Sequence, residues 1–214
     1  MRRTIVKASL HTALNLTVFA LIGTAILAFT FNQTHDRIEQ SIEAEKLKLI
    51  SQIVPQALYD NDIIKDTQDI HPDPLLGNED TTTVYRARRA NQPSVLVLEA
   101  VAPDGYSGKI GLLIAIHDNG ELAGVRVLTH KETPGLGDYI EIARSNWITQ
   151  FNHTSLAKYA DADWKVKKDG GQFDYMAGAT ITPRAVVKAV HKTLQYYALH
   201  HEALFAIQTK EQKP

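Results

Sequence analysis

The most informative absence in this 214-residue chain is cysteine, of which there is none. Structural disulfides, zinc sites with thiolate ligands and iron–sulfur clusters held by cysteine are therefore excluded within the chain. Any redox chemistry needs an organic cofactor or a metal held by histidine. The formal net charge is −1, and no basic run with interleaved aromatics occurs, which argues against nucleic acid as a partner.

Several motifs of catalysis and nucleotide binding are also missing. The sequence contains no G-x-G-x-x-G dinucleotide motif and no G-x-x-x-x-G-K-[ST] phosphate loop, so we expect no NADH site in this chain. It lacks a G-x-S-x-G nucleophile elbow and any recognisable nucleophile–base pairing, so a membrane-tethered hydrolase is the weakest function class and no catalytic residue is assigned. His200 and His201 do not predict a metal site, because adjacent helical residues point about 100° apart. His117 and His130 end strands, where solvated or capping roles are expected.

One long apolar run is present, from Ala13 to Phe31, and it carries no charge. Its length is what a helix needs to cross ~30 Å of hydrocarbon, and it has no polar face to suit a buried core helix. Arg2, Arg3 and Lys7 precede it, so the N-terminus is expected in the cytoplasm and the rest of the chain outside. A cleaved signal peptide, with a weak cleavage site at Gly23-Thr24-Ala25, is the alternative.

The pattern after this run predicts a stalk followed by one domain. We assign residues 1–34 to the N-terminus and span, 35–60 to a stalk helix, 61–208 to the domain and 209–214 to a polar tail. Pro55 is expected to end or kink the stalk helix. Residues at helical spacing are expected to pack the stalk on the domain: Ile38, Ile42, Leu49, Ile50 and Ile53. The polar stretch Asn61–Thr83 indicates a loop-rich entry to the domain.

Within the domain, short β-branched runs predict strands over residues 94–101, 110–117 and 122–129. The turn GYSG joins the first two, and Asp118-Asn119-Gly120 is a strong hairpin signal between the others. A fourth strand is predicted over Trp164–Lys168. These strands occur in clumps with a clear antiparallel hairpin, so the sequence predicts an α+β domain rather than a doubly wound parallel sheet.

Two helices are predicted in the second half of the domain. The first begins at Asp138, where Glu141 completes a capping box, and buries a face of Ile140, Ala143, Trp147 and Phe151. The second begins near Thr182, with a buried side made of Val186, Val187, Val190, Leu194, Ala198 and Leu204.

The start of the last helix, AGATITP from Ala177 to Pro183, has two interpretations. Thr182 suits an N-cap and Pro183 suits the first turn, so the stretch can be an ordinary tight turn into a helix. The small residues before it also leave room for a bulky group, and a helix N-terminus offers unpaired N–H donors to a phosphate. Arg184 and Lys188 are candidates to add positive charge there.

The nine residues DYMAGATIT, from Asp174 to Thr182, resemble the flavinylation motif D-x-x-[ST]-G-A-T-x-[ST] of FMN-binding domains. The resemblance implies FMN attached through its phosphate to the hydroxyl of Thr180, installed from FAD by a flavin transferase outside the cytoplasmic membrane. It also implies contacts from Gly178, Ala179, Ile181 and Thr182. Ala177 departs from the motif, which usually has serine or threonine there.

A second stretch, HKETPGLGD from His130 to Asp138, is similar to the H-x-E-T-P-G-L-G segment of the same family. By itself it is a Pro-Gly turn that feeds a capped helix. The resemblance implies that it lies beside the flavin, which makes Glu132, Thr133, Leu136 and Gly137 candidates for the wall of the site.

The apolar span, GYSGKI, HKETPGLGD and AGATITP occur in the order that is found in one component family of Rnf (Rsx) electron-transport complexes, the RnfG family. A related family belongs to the sodium-translocating NADH:quinone reductase, and its members are usually longer. The resemblance covers nearly the whole chain. It implies a flavin-carrying electron carrier in the bacterial inner membrane, with its C-terminal domain in the periplasm.

The same resemblance implies a set of partners. They are the lipid bilayer, the flavin transferase, and sibling subunits that supply iron–sulfur clusters and further flavins. The complex would pass electrons between NADH and ferredoxin and couple that flow to Na⁺ or H⁺ movement. The alternative from a different class is a single-span extracytoplasmic sensor or assembly protein without a cofactor.

Overall fold

The computed structural model describes the backbone of residues 2–206, and the side chains of that range apart from those of residues 2–5 and 39. The expected polar tail, 209–214, lies outside the described residues. The chain divides into two units, Met1–Leu47 and Lys48–Pro214. The first helix, α1, spans Arg2–Ile53 and contains the one stretch in the described range that is long and apolar enough to cross a membrane. The large apolar side chains of its Ala13–Phe31 run are exposed, as a lipid-facing surface requires.

Helix α1 ends at Ile53, two residues before Pro55, which confirms the predicted break. A short 3₁₀ helix, Gln56–Leu58, follows at once. Within the second unit, Ile50 and Ile53 are buried, and a Cβ at Gly124 would lie 2.6 Å from Ile53 Cγ2. Gly124 is therefore needed for this close packing. Ile38 and Ile42 belong to the first unit, where both are exposed, and their packing on the domain stays a prediction.

The second unit is built on a five-stranded antiparallel sheet in simple sequence order. Its strands are β1 Thr67–Ile70, β2 Thr82–Arg89, β3 Gln92–Ala102, β4 Ile110–His117 and β5 Leu122–Thr129. The three strands predicted from residue 94 onward and their hairpin are confirmed. Strand β1 lies in the stretch that was expected to be loop. The sequence did not predict it, because its four residues, TQDI, show almost no alternation of apolar and polar side chains.

One face of the sheet is covered by the second helix, α2, which spans Ile181–Phe205. Leu96 and Leu98 of β3 and Ile114 of β4 point into the core from this face, and Val190 meets them from the helix. Most of the predicted buried side of α2 is confirmed, but Ala198 is exposed. Together with α2 and the short helices, the sheet confirms the α+β class.

The helix predicted from Asp138 is wrong. The structure has two 3₁₀ helices instead, Asp138–Ile140 and Asn146–Phe151, and the second is capped by the Ser145 hydroxyl, which accepts from Trp147 N–H. The capping box does not form, because the Asp138 carboxylate accepts from Gly135 N–H at 2.8 Å. Ile140 and Phe151 are nevertheless buried, as their spacing suggested.

The strand predicted over Trp164–Lys168 is also wrong. Val166 forms a single parallel bridge with Phe173, and the chain then turns through a 3₁₀ helix, Lys167–Asp169. Gly170 ends that turn with φ of +83°, a conformation that glycine adopts without steric cost. Phe173 packs against Phe151 and Trp164, with ring centroids 4.9 Å and 5.1 Å away, so aromatic packing organises this segment in place of a sheet ladder.

The far end of α2 is held by two buried arginines from β2. Arg86 Nη1 donates to Ala206 O and Arg88 Nη2 donates to Phe205 O, each at 2.7 Å. The last carbonyls of a helix lack partners within the helix, and these arginines satisfy two of them. Both guanidinium groups share the carboxylate of Asp66, at 2.6 Å and 2.7 Å. The cluster therefore fixes α2 to the sheet.

Removing the shared carboxylate tests this cluster. Asp66→Ala leaves two arginines, each only 6% exposed, without their counter-ion. We expect the free energy of unfolding to fall by about 3 kcal/mol, the cost typical of breaking a buried ion pair from one side. The measurement is urea denaturation of the detergent-solubilised chain, followed by tryptophan fluorescence.

The matched control is Asp62→Ala, which removes an exposed carboxylate paired with Lys65 in the same segment. We expect no measurable change in the denaturation midpoint from it, because solvent screens that pair. Equal effects of the two substitutions would contradict the role given to Asp66.

Candidate functional site

A cavity of about 350 Å³ lies where the start of α2 meets the loop after β5. All nine residues singled out by resemblance line it, and one further residue, Tyr106 of the turn between β3 and β4, completes the wall. The nine are Glu132, Thr133, Leu136, Gly137, Gly178, Ala179, Thr180, Ile181 and Thr182. The structure therefore brings together two motifs that are about forty residues apart in sequence.

The loop after β5 is a closed turn. Thr133 O accepts from Leu136 N–H at 3.1 Å and from Gly137 N–H at 2.9 Å. Gly135 has φ of +75°, and its N–H donates to the buried carboxylate of Asp138. These bonds fix the turn that carries Thr133 and Leu136, which both line the cavity.

Glu132 joins three segments at the base of the cavity. Its carboxylate accepts from Ser107 N–H in the β3–β4 turn at 2.9 Å, and from the Thr182 hydroxyl at the start of α2. Its own N–H donates to His130 Nδ1 at 3.0 Å. The side chain is 4% exposed, so the carboxylate depends on these protein donors rather than on water.

Gly137 packs directly against this junction. A Cβ there would lie 2.9 Å from Glu132 Cβ, 3.0 Å from Glu132 Oε2 and 3.2 Å from Thr182 Oγ1. Its φ of −93° is open to any residue, so the requirement for glycine is steric. A larger residue would push Glu132 and Thr182 apart.

Thr180, and not Thr182, is the N-cap of α2. The expectation that Thr182 caps the helix is wrong, because its buried hydroxyl donates to Glu132 instead. The Thr180 side chain makes no capping hydrogen bond, and Thr180 lines the cavity. Arg184 N–H closes the first turn on Thr180 O at 3.4 Å, and Pro183 lies in that turn as predicted. The earlier N–H groups, of Ile181 and Thr182, have no partner within the helix.

Two aromatic residues that the sequence did not assign to the site hold the turn before Thr180. The Tyr139 hydroxyl accepts from Met176 N–H at 3.3 Å and donates to Ala179 O at 3.4 Å. Burial raises the pKa of Tyr139 to about 12. Trp147 lies edge-to-face with Tyr139, and its Nε1–H donates to Asp174 O at 2.7 Å. Only the apolar spacing around Trp147 hinted at burial, and nothing local pointed to this contact.

The two cations proposed to assist a phosphate are already paired. Arg184 makes two hydrogen bonds to Asp169, at 2.5 Å and 2.6 Å, which raise its pKa and lower that of Asp169. Lys188 Nζ lies 2.5 Å from Asp104. The backbone of the helix N-terminus is therefore the main electropositive group that α2 offers the cavity.

The expectation that His130 is solvated is wrong. The side chain is 11% exposed, and Nε2 lies 2.5 Å from Glu141 Oε1. Because Nδ1 accepts from Glu132 N–H, the ring proton belongs on Nε2, where it is donated to Glu141. His130 thus braces the loop that carries Glu132.

The mouth of the cavity is unusually apolar. Among the described residues of the second unit, seven large apolar side chains are exposed. Two of them, Ile64 and Leu199, do not line the cavity and are far in sequence from the residues that do. The remaining five lie on the cavity wall or in the turn before Thr180: Tyr106, Leu136, Tyr175, Met176 and Ile181. A flat aromatic ring with one anionic end fits such a site, because apolar walls adjoin a helix N-terminus.

Comparison with known proteins agrees with this geometry. Residues 105–195 match the model of the FMN-binding domain family, and residues 1–53 match that of the RnfG N-terminal region. The chain is 44% identical over 189 residues to a protein of Vibrio cholerae serotype O1 (strain M66-2), an alignment that covers 88% of the chain and 90% of that relative. It is 45% identical over 200 residues to one of Pseudomonas aeruginosa (strain UCBPP-PA14), with 94% of each chain covered. Both relatives are named as the G subunit of an ion-translocating oxidoreductase complex.

Replacing Tyr139 by phenylalanine tests how the turn before Thr180 is held. Tyr139→Phe keeps the ring but removes the hydroxyl that joins Met176 N–H and Ala179 O. We expect the free energy of unfolding to fall by about 1 kcal/mol at pH 7, a typical net value for such hydrogen bonds. Amide hydrogen exchange at Met176 should accelerate in the same variant.

The stability difference between the wild type and Tyr139→Phe should also depend on pH in a definite direction. Since the pKa of Tyr139 is about 12 in the folded protein and about 10 in an unfolded chain, the folded state retains the proton between these values. The advantage of the wild type over Tyr139→Phe should therefore be complete below pH 10 and shrink as the pH rises toward 12. Tyr159→Phe, in the same aromatic cluster, is the control and should leave exchange at Met176 unchanged. A pH-independent difference would contradict the assignment.

Proposed function

Since this chain belongs to the RnfG family of ion-translocating oxidoreductase complexes, we propose that its FMN is attached covalently, through a phosphoester, to the hydroxyl of Thr180. The family and the FMN-binding domain make the chain an electron-transfer component of such a complex. The linkage, its position and the roles of the cavity residues are the proposal.

The observation that carries the choice of residue is the difference between Thr180 and Thr182. Both line the cavity at the start of α2. The Thr182 side chain is buried, and its hydroxyl is engaged with Glu132. The Thr180 side chain is partly exposed and makes no capping bond, so its hydroxyl is the one available to a large donor.

Attachment requires only an exchange of phosphate esters. The Thr180 oxygen forms a bond to the FMN-side phosphorus of FAD, the bond from that phosphorus to the oxygen that bridges the two phosphates breaks, and AMP leaves. The hydroxyl proton is lost in the exchange, and no electrons are transferred. A flavin transferase supplies this chemistry, because the sequence motifs of a nucleotide-hydrolysing site are missing from this chain.

The cavity residues are suited to hold and orient the product. The N–H groups of Ile181 and Thr182 at the helix N-terminus favour the phosphate charge. Leu136, Ile181 and Tyr106 offer apolar surface for the ring system. The bound flavin supplies reversible electron uptake, and the protein supplies position and electrostatic environment. A covalent bond also prevents loss of the flavin by dilution outside the cytoplasm.

The wider role follows from the family. We propose that the chain relays electrons within a complex that links NADH and ferredoxin to Na⁺ or H⁺ movement. Its lack of cysteine means that iron–sulfur clusters come from other subunits. The apolar stretch of α1 is the anchor, and the preceding Arg2, Arg3 and Lys7 favour a cytoplasmic N-terminus in a bacterial inner membrane, with the domain in the periplasm.

Fluorescence on a denaturing gel tests the attachment. The full chain is produced in bacteria with an active flavin transferase, beside Thr180→Val and Thr133→Val. We expect a band that fluoresces under ultraviolet light in the wild type and in Thr133→Val, and a dark band in Thr180→Val. Valine has nearly the shape of threonine but no hydroxyl, so the change removes only the acceptor oxygen.

Thr133 is the control because its side chain also lines the cavity and is exposed. A dark wild-type band would contradict covalent flavin and favour a cofactor-free sensor or assembly role. A fluorescent Thr180→Val band would place the linkage elsewhere in the chain.

A further inference from the structure

We propose that Glu132 lowers the reduction potential of the flavin by holding an uncompensated negative charge in the cavity wall. The inference rests on the proposed function, because it needs a flavin in this cavity. It assigns Glu132 an electrostatic role toward the cofactor in addition to its structural bonds.

The charge of Glu132 is supported by its partners. One oxygen accepts from Ser107 N–H at 2.9 Å, and the other accepts from the Thr182 hydroxyl. Both contacts suit a carboxylate, whose two oxygens can only accept hydrogen bonds.

Glu132 differs from the acids around it in having no cation. Asp104 lies 2.5 Å from Lys188, and Arg144 lies 3.4 Å from Asp138 and 3.9 Å from Glu141. In the described part of the chain, Glu132 forms no ion pair, although it is 4% exposed. Its charge is therefore neither neutralised by a neighbour nor screened well by water.

The negative charge of Glu132 lies where it counteracts the partial positive charge at the N-terminus of α2. The N-terminus of α2 carries partial positive charge, which would stabilise a reduced flavin and raise its potential. The Glu132 carboxylate is bonded to Thr182, the second residue of the same helix, and lines the same cavity. It therefore offsets the helix at the place where the helix would act on the cofactor.

The effect on the potential has a definite direction. When two electrons enter the ring with fewer than two protons, the ring gains negative charge. A fixed buried carboxylate raises the free energy of that reduced form relative to the oxidised form. The reduction potential of the flavin becomes more negative, which suits a carrier that exchanges electrons in a complex with ferredoxin as a partner.

The test is a redox titration of Glu132→Gln. The full chain with covalent flavin is titrated in detergent at pH 7, and the ratio of oxidised to reduced flavin is read from its visible absorbance. We expect the reduced form to be favoured at least tenfold over the wild type at a given potential. For a two-electron couple this is a positive shift of about 30 mV.

Two controls separate charge from structure. Glu132→Asp keeps the charge but shortens the side chain, and we expect its ratio to stay within about threefold of the wild type. Asp104→Asn removes an exposed carboxylate near the same turn, and we expect it also to stay within about threefold. A purely structural role predicts that Glu132→Asp disturbs the potential as much as Glu132→Gln does.

The proposal is overturned if Glu132→Gln leaves the ratio unchanged or lowers it, or if Glu132→Asp shifts it equally. Should Glu132→Gln not fold, the double change Glu132→Met with Thr182→Val removes both ends of the bond between these two side chains and carries the same expectation. The proposal is also overturned if Glu132→Gln and the double variant both lack covalent flavin, since Glu132 would then be needed for flavin attachment rather than for setting the reduction potential. A wild type without covalent flavin refutes the proposed function instead.

Discussion

The site depends on one buried carboxylate that draws three distant segments together. Glu132 binds Ser107 from the β3–β4 turn and Thr182 from the start of α2, while its own backbone is braced by His130. Because the carboxylate is removed from water, losing the Ser107 or the Thr182 donor would leave buried charge unsatisfied, which is costly. This cost keeps the segments together and gives the cavity its shape before any cofactor arrives. Gly137 belongs to the same constraint, since any side chain there would occupy the space between Glu132 and Thr182.

Helix α2 connects this site to the rest of the domain. Its N-terminus forms one side of the cavity, its middle covers the sheet, and its last carbonyls are fixed by Arg86 and Arg88. The helix is therefore held at both ends by buried polar groups and along its length by apolar packing. A cofactor attached at Thr180 would thus be carried on a rigid element, and rigid support is what an electron carrier needs to keep its distance from a partner constant.

The sequence predicted those parts of the fold whose signals are local. Strands β3 to β5 follow from β-branched runs and an Asn-Gly turn, and α2 follows from its apolar spacing and Pro183. The helix expected from Asp138 failed because its carboxylate bonds Gly135 instead of capping, a competition that spacing does not reveal. The site residues were gathered by resemblance. The bond between Glu132 and Thr182 and the contact of Tyr139 with Ala179 join residues about forty or fifty positions apart, and no local pattern encodes them.

The measurement that tests the account most directly is tandem mass spectrometry of the tryptic peptide from Asp169 to Arg184, prepared from the full chain made with an active flavin transferase. The peptide contains two threonines, Thr180 and Thr182, which the structure distinguishes by the engagement of their hydroxyls. The account predicts a peptide heavier by FMN less one water, with fragment ions that place the added mass on Thr180. An unmodified peptide, or fragments that place the mass on Thr182, would contradict it.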